Sequence, residues 1–218
     1  TSGSNVTLVD AGAIDLGAST VSGTYAVTAT ADGDITDSGV LAITGTSTLT
    51  AADEQSIILD QSSTFGTVAF VASSGNLKNV TINDSNALDL SALTLAQVSG
   101  AGGNLTVTAG GAVTDSGTLV IPGTTTISAS GQDVTLNDSS NNFGTATITG
   151  ANVAVTDTNA IALGASTISG TYSITADGNI TDDGAQVITG LTTLGAGSGI
   201  ITLDNSSNDF QGGLVIQS

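Results

Sequence analysis

The sequence predicts an all-β protein, specifically a right-handed parallel β-helix. Three observations predict it: a composition that favours strands and turns, a long tandem repeat, and short apolar runs that alternate with a period of two. In such a fold the chain winds into a coil, and each strand pairs with the strand one turn later. The regular apolar runs also argue against disorder, the main competitor for a polar chain with a high net charge.

Composition favours strands almost everywhere. The 218 residues include 29 glycines and one proline, with no Cys, Met, Trp or His. Straight-chain helix formers are scarce, since Lys78 is the single basic residue and Glu54 the single glutamate. Thr, Val and Ile fit pleated strands, whereas Gly, Asn and Asp fit the turns between them.

The repeat divides a single solenoid segment, residues 1–218, into three units at about 5–78, 79–151 and 152–218. The units open on related segments about 73 residues apart: NVTLVDAG from 5, NVTINDSN from 79 and NVAVTDTN from 152. Further markers recur in order: DITDSG, AVTDSG and NITDDG, then TGTSTLTA, PGTTTISA and TGLTTLGA. A sequence that returns to itself indicates a solenoid rather than a sandwich of unlike strands.

Spacing within the units sets the size of one coil. Asn104–Gly123 and Thr124–Phe143 are successive blocks of about 20 residues, each with two or three short apolar runs. We expect about three coils per unit, one enlarged by a variable segment, and about ten coils in all, giving a rod of about 50 Å. The core should consist of aliphatic ladders at equivalent positions: Leu49, Ile127 and Leu194, and Ile43, Ile121 and Ile188.

The two ends of the sequence are in phase with the repeat. The residues that follow Phe210 and those from the start up to Phe65 together make up one unit length. Neither TSGSNVTLVD nor GGLVIQS resembles the polar cap that covers the open strands of a solenoid. We therefore expect the chain to associate with itself, either with neighbouring repeats of a longer array or with identical chains stacked end to end.

The charge of the chain limits the other partners and the chemistry. A net charge of −18 argues against nucleic acid and anionic membranes, and no apolar run is long enough to cross a membrane. Asp182 and Asp183 could be taken for an acid–base pair. With no His or Arg and only Lys78, however, nothing would balance charge in a transition state. We therefore expect no enzymatic activity, with no catalytic and no cofactor-binding residues.

One polar stretch resembles a binding site. LNDSSNNFG at 136–144 combines carboxylate, amide and hydroxyl groups with an aromatic ring, and it recurs as LDQSSTFG at 59–66 and LDNSSNDFQG at 203–212. Its spacing does not match an EF-hand loop or a calcium-binding nonapeptide. We predict a bend in the coil, closed by the Phe, and no metal ligands, although weak calcium binding by the acidic surface stays open.

Two other patterns are weaker. Pairs in T-x-T form occur at Thr28/Thr30, Thr48/Thr50, Thr124/Thr126 and Thr145/Thr147, as on ice-binding solenoids, but they do not recur on every coil at one phase of the repeat. They are interpreted as outward strand residues. Seven N-x-S/T sequons are expected by chance in this composition: Asn5, Asn79, Asn83, Asn104, Asn137, Asn179 and Asn205.

The segments NVTLVDAGAIDLGASTVSG, NLTVTAGGAVTDSG and VTLNDSSNNFGTATITGANV resemble the repeats of large bacterial surface proteins of the filamentous-haemagglutinin type. The resemblance covers essentially the whole chain. It implies a β-helical shaft exported to the cell surface by two-partner secretion or an autotransporter route, working in adhesion, aggregation or biofilm. The secretion domain typical of that family is not recognisable in this sequence, and no binding residues carry over.

The expected function is thus a non-enzymatic structural or adhesive shaft outside a bacterial cell, with a glycan or protein of a host or bacterial surface as a further partner. Two alternatives stay open. One is a filament subunit that stacks through its open coil ends, and the other is an ice- or glycan-binding solenoid.

Overall fold

The computed structural model describes residues 2–217 as one β-solenoid without helices. It therefore contains no helix able to span a membrane. The strands are β1 (Ser2–Gly3), β2 (Val6–Asp10), β3 (Ile14–Leu16), β4 (Ser19–Val21), β5 (Tyr25–Ala29), β6 (Ile35–Asp37), β7 (Leu41–Ala51), β8 (Ile57–Ala72), β9 (Asn79–Asp84), β10 (Leu88–Leu90), β11 (Leu93–Thr94), β12 (Gln97–Val98), β13 (Ala101–Gly102), β14 (Asn104–Ala109), β15 (Val113–Asp115), β16 (Leu119–Ser128), β17 (Val134–Leu136), β18 (Asn142–Gly150), β19 (Val153–Asp157), β20 (Ile161–Leu163), β21 (Ser166–Ile168), β22 (Tyr172–Ala176), β23 (Ile180–Asp182), β24 (Gln186–Ile188), β25 (Thr192–Gly195), β26 (Ile201–Thr202), β27 (Asp209–Phe210) and β28 (Leu214–Gln217).

Two columns of parallel strands run along the solenoid, and the chain passes through each column once per coil. Column A contains β2, β5, β7, β8, β10, β15, β17, β19, β22, β25 and β28. Column B contains β3, β6, β8, β9, β14, β16, β18, β20, β23 and β26. The long strand β8 contributes its first residues to column B and its last to column A. The predicted parallel solenoid of about ten coils, built from three tandem repeats, is confirmed.

The core is a set of aliphatic ladders inside the coil. Alternate residues of each strand point inward, as in β9, where Val80, Ile82 and Asp84 are buried and the residues between them are partly exposed. The predicted ladder residues Leu49, Ile127 and Leu194 are all at most 1% exposed. Burying such side chains stabilises the fold by about 1.5–3 kcal/mol each.

One repeat unit spans three and a half coils, which corrects the expected value of about three. Val6, Val80 and Val153 occupy the same place in the three units. Val6 and Val153 lie in column A, seven strand pairings apart, so that two units make seven coils. Val80 instead lies in column B, between Ile57 and Leu105. The middle unit is therefore turned by about half a revolution relative to its neighbours.

Short corner strands confirm this half turn. In the first unit, the segment of β7 that pairs with β4 follows column B and precedes column A. In the middle unit, the equivalent segment of β16 pairs with β11, follows column A and precedes column B. In the third unit, β24 again follows column B. The exchange of both columns and corners is what a half turn about the solenoid axis produces.

Stacked glycines allow the coils to approach each other at one corner. A Cβ added to Gly45 or Gly190 would collide with the backbone carbonyl of Gly23 or Gly170, one coil earlier. On the next coil Gly66 continues the stack of Gly45, and Gly212 continues that of Gly190. The middle unit has an equivalent stack of Gly103, Gly123 and Gly144. The recurring glycine of the TG and PG markers is thus required by close backbone contact.

The longest coil lies in the middle unit. The chain runs from Leu93 to Leu119 before it meets its strand partner, whereas it needs only the shorter path from Thr145 to Ala162 in a later coil. Two antiparallel strands, β12 and β13, precede β14 and form a small hairpin outside the coil. The extra residues of this coil form the hairpin, because the strand pairs before and after it, β11 with β16 and β9 with β14, keep their register.

Candidate functional site: a repeated polar corner

The stretch that resembles a binding site is a corner built around an aspartate of the preceding coil. Asp115, at the end of β15, accepts hydrogen bonds from the backbone N–H of Asn137 at 2.9 Å and of Asp138 at 3.2 Å. It also accepts one from the side-chain Nδ2 of Asn141 at 2.6 Å. The Oδ1 of Asn141 in turn accepts the backbone N–H of Leu119 at 2.8 Å. Two consecutive coils are therefore joined through one carboxylate and one amide.

The third unit repeats this geometry. Asp182 accepts the backbone N–H groups of Asp204 and Asn205 at 3.0 and 3.3 Å, and the Nδ2 of Asn208 at 2.6 Å. Asn208 Oδ1 accepts the backbone N–H of Gln186 at 2.8 Å. The carboxylate of Asp182 is thus directed at backbone and amide donors of the next coil, an arrangement that serves the bend in the chain.

The first unit has a reduced version of the same corner. Asp37 accepts the backbone N–H groups of Asp60 and Gln61 at 2.9 and 3.4 Å. Ser63 stands where the other units have asparagine, and its hydroxyl oxygen accepts the N–H of Leu41 at 2.9 Å. The Ser63 hydroxyl makes no hydrogen bond to Asp37, whereas the asparagine of the other units reaches the equivalent aspartate through its Nδ2. Oδ2 of Asp37 is consequently buried without a hydrogen-bond partner among the described residues.

The sequence predicts the polar stretch of this corner, but it does not predict the anchor, the aspartate one coil earlier that accepts its hydrogen bonds. The aspartates of the ITD and VTD segments recur in all three units, but they are typical turn residues and the segments themselves do not indicate what these aspartates bind. The available signal is their nearly constant distance from the corner: Asp37 to Asp60, Asp115 to Asn137, and Asp182 to Asp204. That distance is one coil, so each anchor lies directly beneath the corner it holds.

The corner groups lack the arrangement of a metal site. The carboxylates of Asp115 and Asp182 face N–H donors, which compete with a cation for the same lone pairs. Within residues 2–217, no group of three or more His, Cys, Asp or Glu side chains lies close enough to hold a metal ion. What the corner can do chemically is satisfy backbone donors at a bend, where no strand partner is available.

Three carboxylates are buried in the coil. Burial raises the pKa of Asp84, opposed by the backbone N–H of Asn86 at 3.0 Å. Burial likewise raises the pKa of Asp157, opposed by hydrogen bonds from the backbone N–H groups of Phe143 and Asn159. The pKa of Asp37 is raised for the same main reason. These acids cost stability when charged, because the surroundings solvate the charge less well than water.

Several sequon asparagines at the start of a strand cap the neighbouring coil. The Oδ1 of Asn5 accepts the backbone N–H of Thr24, one coil later, at 2.9 Å. Other sequon asparagines make the same bond to the next coil: Asn79, Asn104 and Asn179. This structural use explains why Asn recurs at the start of the strands without any reference to glycosylation.

Outward threonines stack on successive coils of the middle unit, although T-x-T pairs do not recur on every coil of the solenoid. Four consecutive strands of column B present outward polar pairs in register: Thr81/Asn83, Thr106/Thr108, Thr126/Ser128 and Thr147/Thr149. A comparison of one repeat unit with the next does not reveal this alignment, because the stacked residues are one coil apart and belong to the same unit. The result is an uncharged patch on a strongly acidic molecule.

A protein-family model described as "Repeats of unknown function (DUF5649)" matches the chain three times, over residues 3–72, 77–149 and 150–217. These matches follow the three units and cover nearly all of the sequence. No curated protein matches the chain. No solved structure matches it either.

Proposed function

This chain belongs to the family of repeats of unknown function, DUF5649, and we propose that it acts as a structural shaft of a bacterial surface protein. The observation that carries the proposal is the continuity of the coil. Each unit continues both strand columns into the next without a linker, from β2 to β28 in column A. A continuous coil resists bending, because bending would separate stacked strands and expose the ladders.

An exported location and a role in adhesion, aggregation or biofilm are supported by the resemblance to filamentous-haemagglutinin repeats. The chemistry of the surface is compatible with them. The chain carries a net charge of −18 and no cysteine, so like-charged shafts repel one another and the fold needs no particular redox state. On this proposal the shaft holds other parts of a surface protein, or its own polar faces, away from the cell.

The absence of enzymatic activity is part of the proposal. The most suggestive carboxylates, Asp115 and Asp182, are occupied in joining coils. The sequence supplies no His or Arg and one Lys to act beside them. Repetition of the same corner in all three units also fits a structural element better than a catalytic site.

Electron microscopy of tandem copies tests the shaft directly. One chain should appear as a rod of about 50 Å, and each added repeat unit should lengthen it by about 17 Å, because a unit adds three and a half strand spacings. A matched control with a flexible Gly/Ser linker between two copies should show two rods at varying angles. Tandem copies that fold back on each other or hinge at the unit boundaries would disprove the proposal.

The stacked threonine patch favours ice or glycan binding as a second candidate. The outward hydroxyls of Thr106, Thr126 and Thr147 make no hydrogen bond to the described residues, whereas Thr114 and Thr36 bind aspartates. Free hydroxyls spaced about 4.8 Å apart can order water or contact a neutral sugar. Thermal hysteresis and glycan-array binding, compared between the parent chain and Thr126→Lys, distinguish this candidate from a passive shaft.

A further inference from the structure

A cleft of about 250 Å³ opens on the surface at the first unit boundary, between two successive coils. The end of β8, from Phe70 to Ala72, lines one side of it, and β11 lines the other. Further coils precede and follow the cleft, because β7 pairs with β8 and β16 pairs with β11. The cleft is therefore internal to the solenoid.

Strand β8 ends with one edge open toward this cleft. On the side of the preceding coil it pairs with β7 as far as Ala72, whereas its last pair with the following coil in column A is made by Val68. The backbone N–H of Ser73 donates to the C=O of Ala51 in the preceding coil. Because these groups alternate sides along a parallel strand, those of Phe70 and Ala72 point toward the following coil and the cleft.

The second unit boundary shows how such an edge is closed. There the backbone N–H of Ile148 donates to the Oγ of Ser166 at 3.1 Å. The C=O of Gly150 accepts the N–H of Ser169, also at 3.1 Å, and β18 pairs with β21 over this stretch. At the second boundary the backbone groups of the edge thus have partners in the following coil.

Two differences in sequence keep the first boundary open. Leu93 stands at the place of Ser166, and its side chain has no oxygen to accept the N–H of Phe70. The connection after β8 is also longer than the connection after β18, and it supplies Leu77, whose C=O accepts the N–H of Ala96 at 2.9 Å. That N–H is consequently not available to the end of β8. The cleft lies where the sequence departs from its own repeat.

The preceding coil holds the outer wall of the cleft in place. Asn76 donates its backbone N–H to Oδ1 of Asp53 at 2.9 Å, and its C=O accepts the N–H of Glu54 at 2.9 Å. The cleft is thus already formed, which lowers the cost of ordering a binding site. Both acids are exposed beside it, whereas Lys78, the only basic residue of the sequence, packs against Gly102 of the hairpin.

We propose that this cleft binds an extended, positively charged segment of a partner protein, which adds a strand to the open edge of β8. The N–H of Phe70 and the C=O of Ala72 pair with the backbone of that segment. Its alternate side chains lie in the cleft against Phe70 and Leu93, and the side chains between them face the acidic rim of Asp53 and Glu54. This inference goes beyond the role of a shaft, since it gives the shaft a lateral attachment site.

Charge selects the kind of partner. The chain carries a net charge of −18, so it attracts a basic segment and repels a second copy of itself, which offers a single lysine. Salt screens this attraction, but it does not weaken the backbone hydrogen bonds and the apolar contacts in the cleft. Binding should therefore decrease with ionic strength without being abolished.

A short peptide of alternating lysine and valine is the probe, added to the isotope-labelled chain and followed by NMR. Binding should shift the amide signals of residues 70–72 and slow hydrogen exchange at the amide of Phe70, which gains a partner. The amide of Ile148, already bonded to Ser166, is the internal control. Two further peptides should each bind about tenfold more weakly or worse: the same peptide with its backbone amides N-methylated, and a peptide of alternating glutamate and valine.

A matched pair of variants locates the site. Ala92 is exposed and lines the cleft, so Ala92→Trp should fill it and weaken binding by about tenfold or more. Ala165→Trp makes the same change at the equivalent exposed position of the closed second boundary and should leave binding unchanged. Thermal unfolding of both variants checks that the coil is intact.

Three results would overturn the proposal. The first is equal binding of the N-methylated and unmodified lysine peptides to the parent chain, which needs no variant and would show only a general attraction to an acidic surface. The second is equal binding of the lysine peptide to a folded Ala92→Trp chain. The third is the absence of any change at residues 70–72 when the lysine peptide is in large excess at low ionic strength.

Discussion

Asn141 donates its side-chain amide to the carboxylate of Asp115, 26 residues earlier in the chain, at 2.6 Å. The two residues lie on consecutive coils, and the same pair recurs as Asn208 and Asp182. A polar stretch that resembles a ligand site is thereby used to connect one turn of the solenoid to the next. The first unit lacks this bond, because Ser63 replaces the asparagine.

Asn141→Ser should therefore lower the free energy of unfolding by about 1.5–3 kcal/mol, the usual contribution of a hydrogen bond to a charged group. The serine can still accept the N–H of Leu119, as Ser63 accepts that of Leu41, so the loss is confined to the aspartate bond. Urea unfolding followed by circular dichroism measures the change. Asn137→Ser is the control, since only the backbone N–H of that exposed residue contacts Asp115. Equal stability of the two variants would contradict the assigned role.

Gly190→Ala should be destabilising by at least about 2 kcal/mol, because the added methyl group overpacks a contact with the Gly170 carbonyl. The backbone cannot move away without separating the coils. Gly17→Ala makes the same chemical change where no atom lies within 4 Å of the added Cβ. Thermal unfolding of both variants should show a clear loss for the first and little change for the second; tolerance of both would mean that the glycine stack is not close-packed.

Leu136→Asp should cost several kcal/mol and abolish cooperative unfolding, because Leu136 is 1% exposed on an inward ladder and a charge there loses its hydration. Thr135→Asp places the same carboxylate on the neighbouring outward position of β17. Thr135→Asp should change the free energy of unfolding only slightly, because its carboxylate stays in water. If both variants unfold alike, the inward and outward faces of this strand have been assigned wrongly.

Stability should rise as the pH falls from 7 toward 4. Burial raises the pKa values of Asp37, Asp84 and Asp157 above their ordinary value of 3.8. Between the unfolded and folded pKa values the folded chain holds protons that the unfolded chain has released. Its free energy of unfolding therefore increases as the pH drops through the folded values, and the gain is complete below the unfolded value.

Asp84→Asn tests the source of this pH dependence. The variant should be more stable than the parent at pH 7 and show a flatter profile of melting temperature against pH. Asp177→Asn removes the same charge from an exposed position and controls for the general relief of repulsion in an acidic chain. A parallel flattening in both variants would assign the effect to net charge and not to burial.

Much of the fold could be predicted from the sequence because a solenoid repeats its local rules. Alternation identifies the inward residues, as Leu49 and Ile127 show, and the recurrence of the Phe marks the corners. The number of coils per unit cannot be read from the repeat length, because coils of unequal length average out within a unit. The half turn therefore emerges only from the strand pairings of the structure, as those of Val80 show.

The candidate site was predictable in part for the same reason. The polar stretch is a bend, as its turn-forming residues predict, but its anchor Asp115 lies one coil earlier and is distant in sequence. The threonine patch shows the opposite problem. Its members are near each other only when successive coils are aligned, as in the pairing of Thr106 with Thr126, and a comparison between units separates them.

Spin–spin coupling between labels at positions 58 and 81 of one chain tests the half turn between successive units of the continuous coil. In a continuous solenoid with three and a half coils per unit, Ile58 and Thr81 are adjacent strand partners in column B. Labels at these two positions should show strong exchange coupling. A unit of four coils would instead place Thr81 in column A, beside Ala69. Strong coupling of an Ala69/Thr81 pair, with none between 58 and 81, would contradict this geometry.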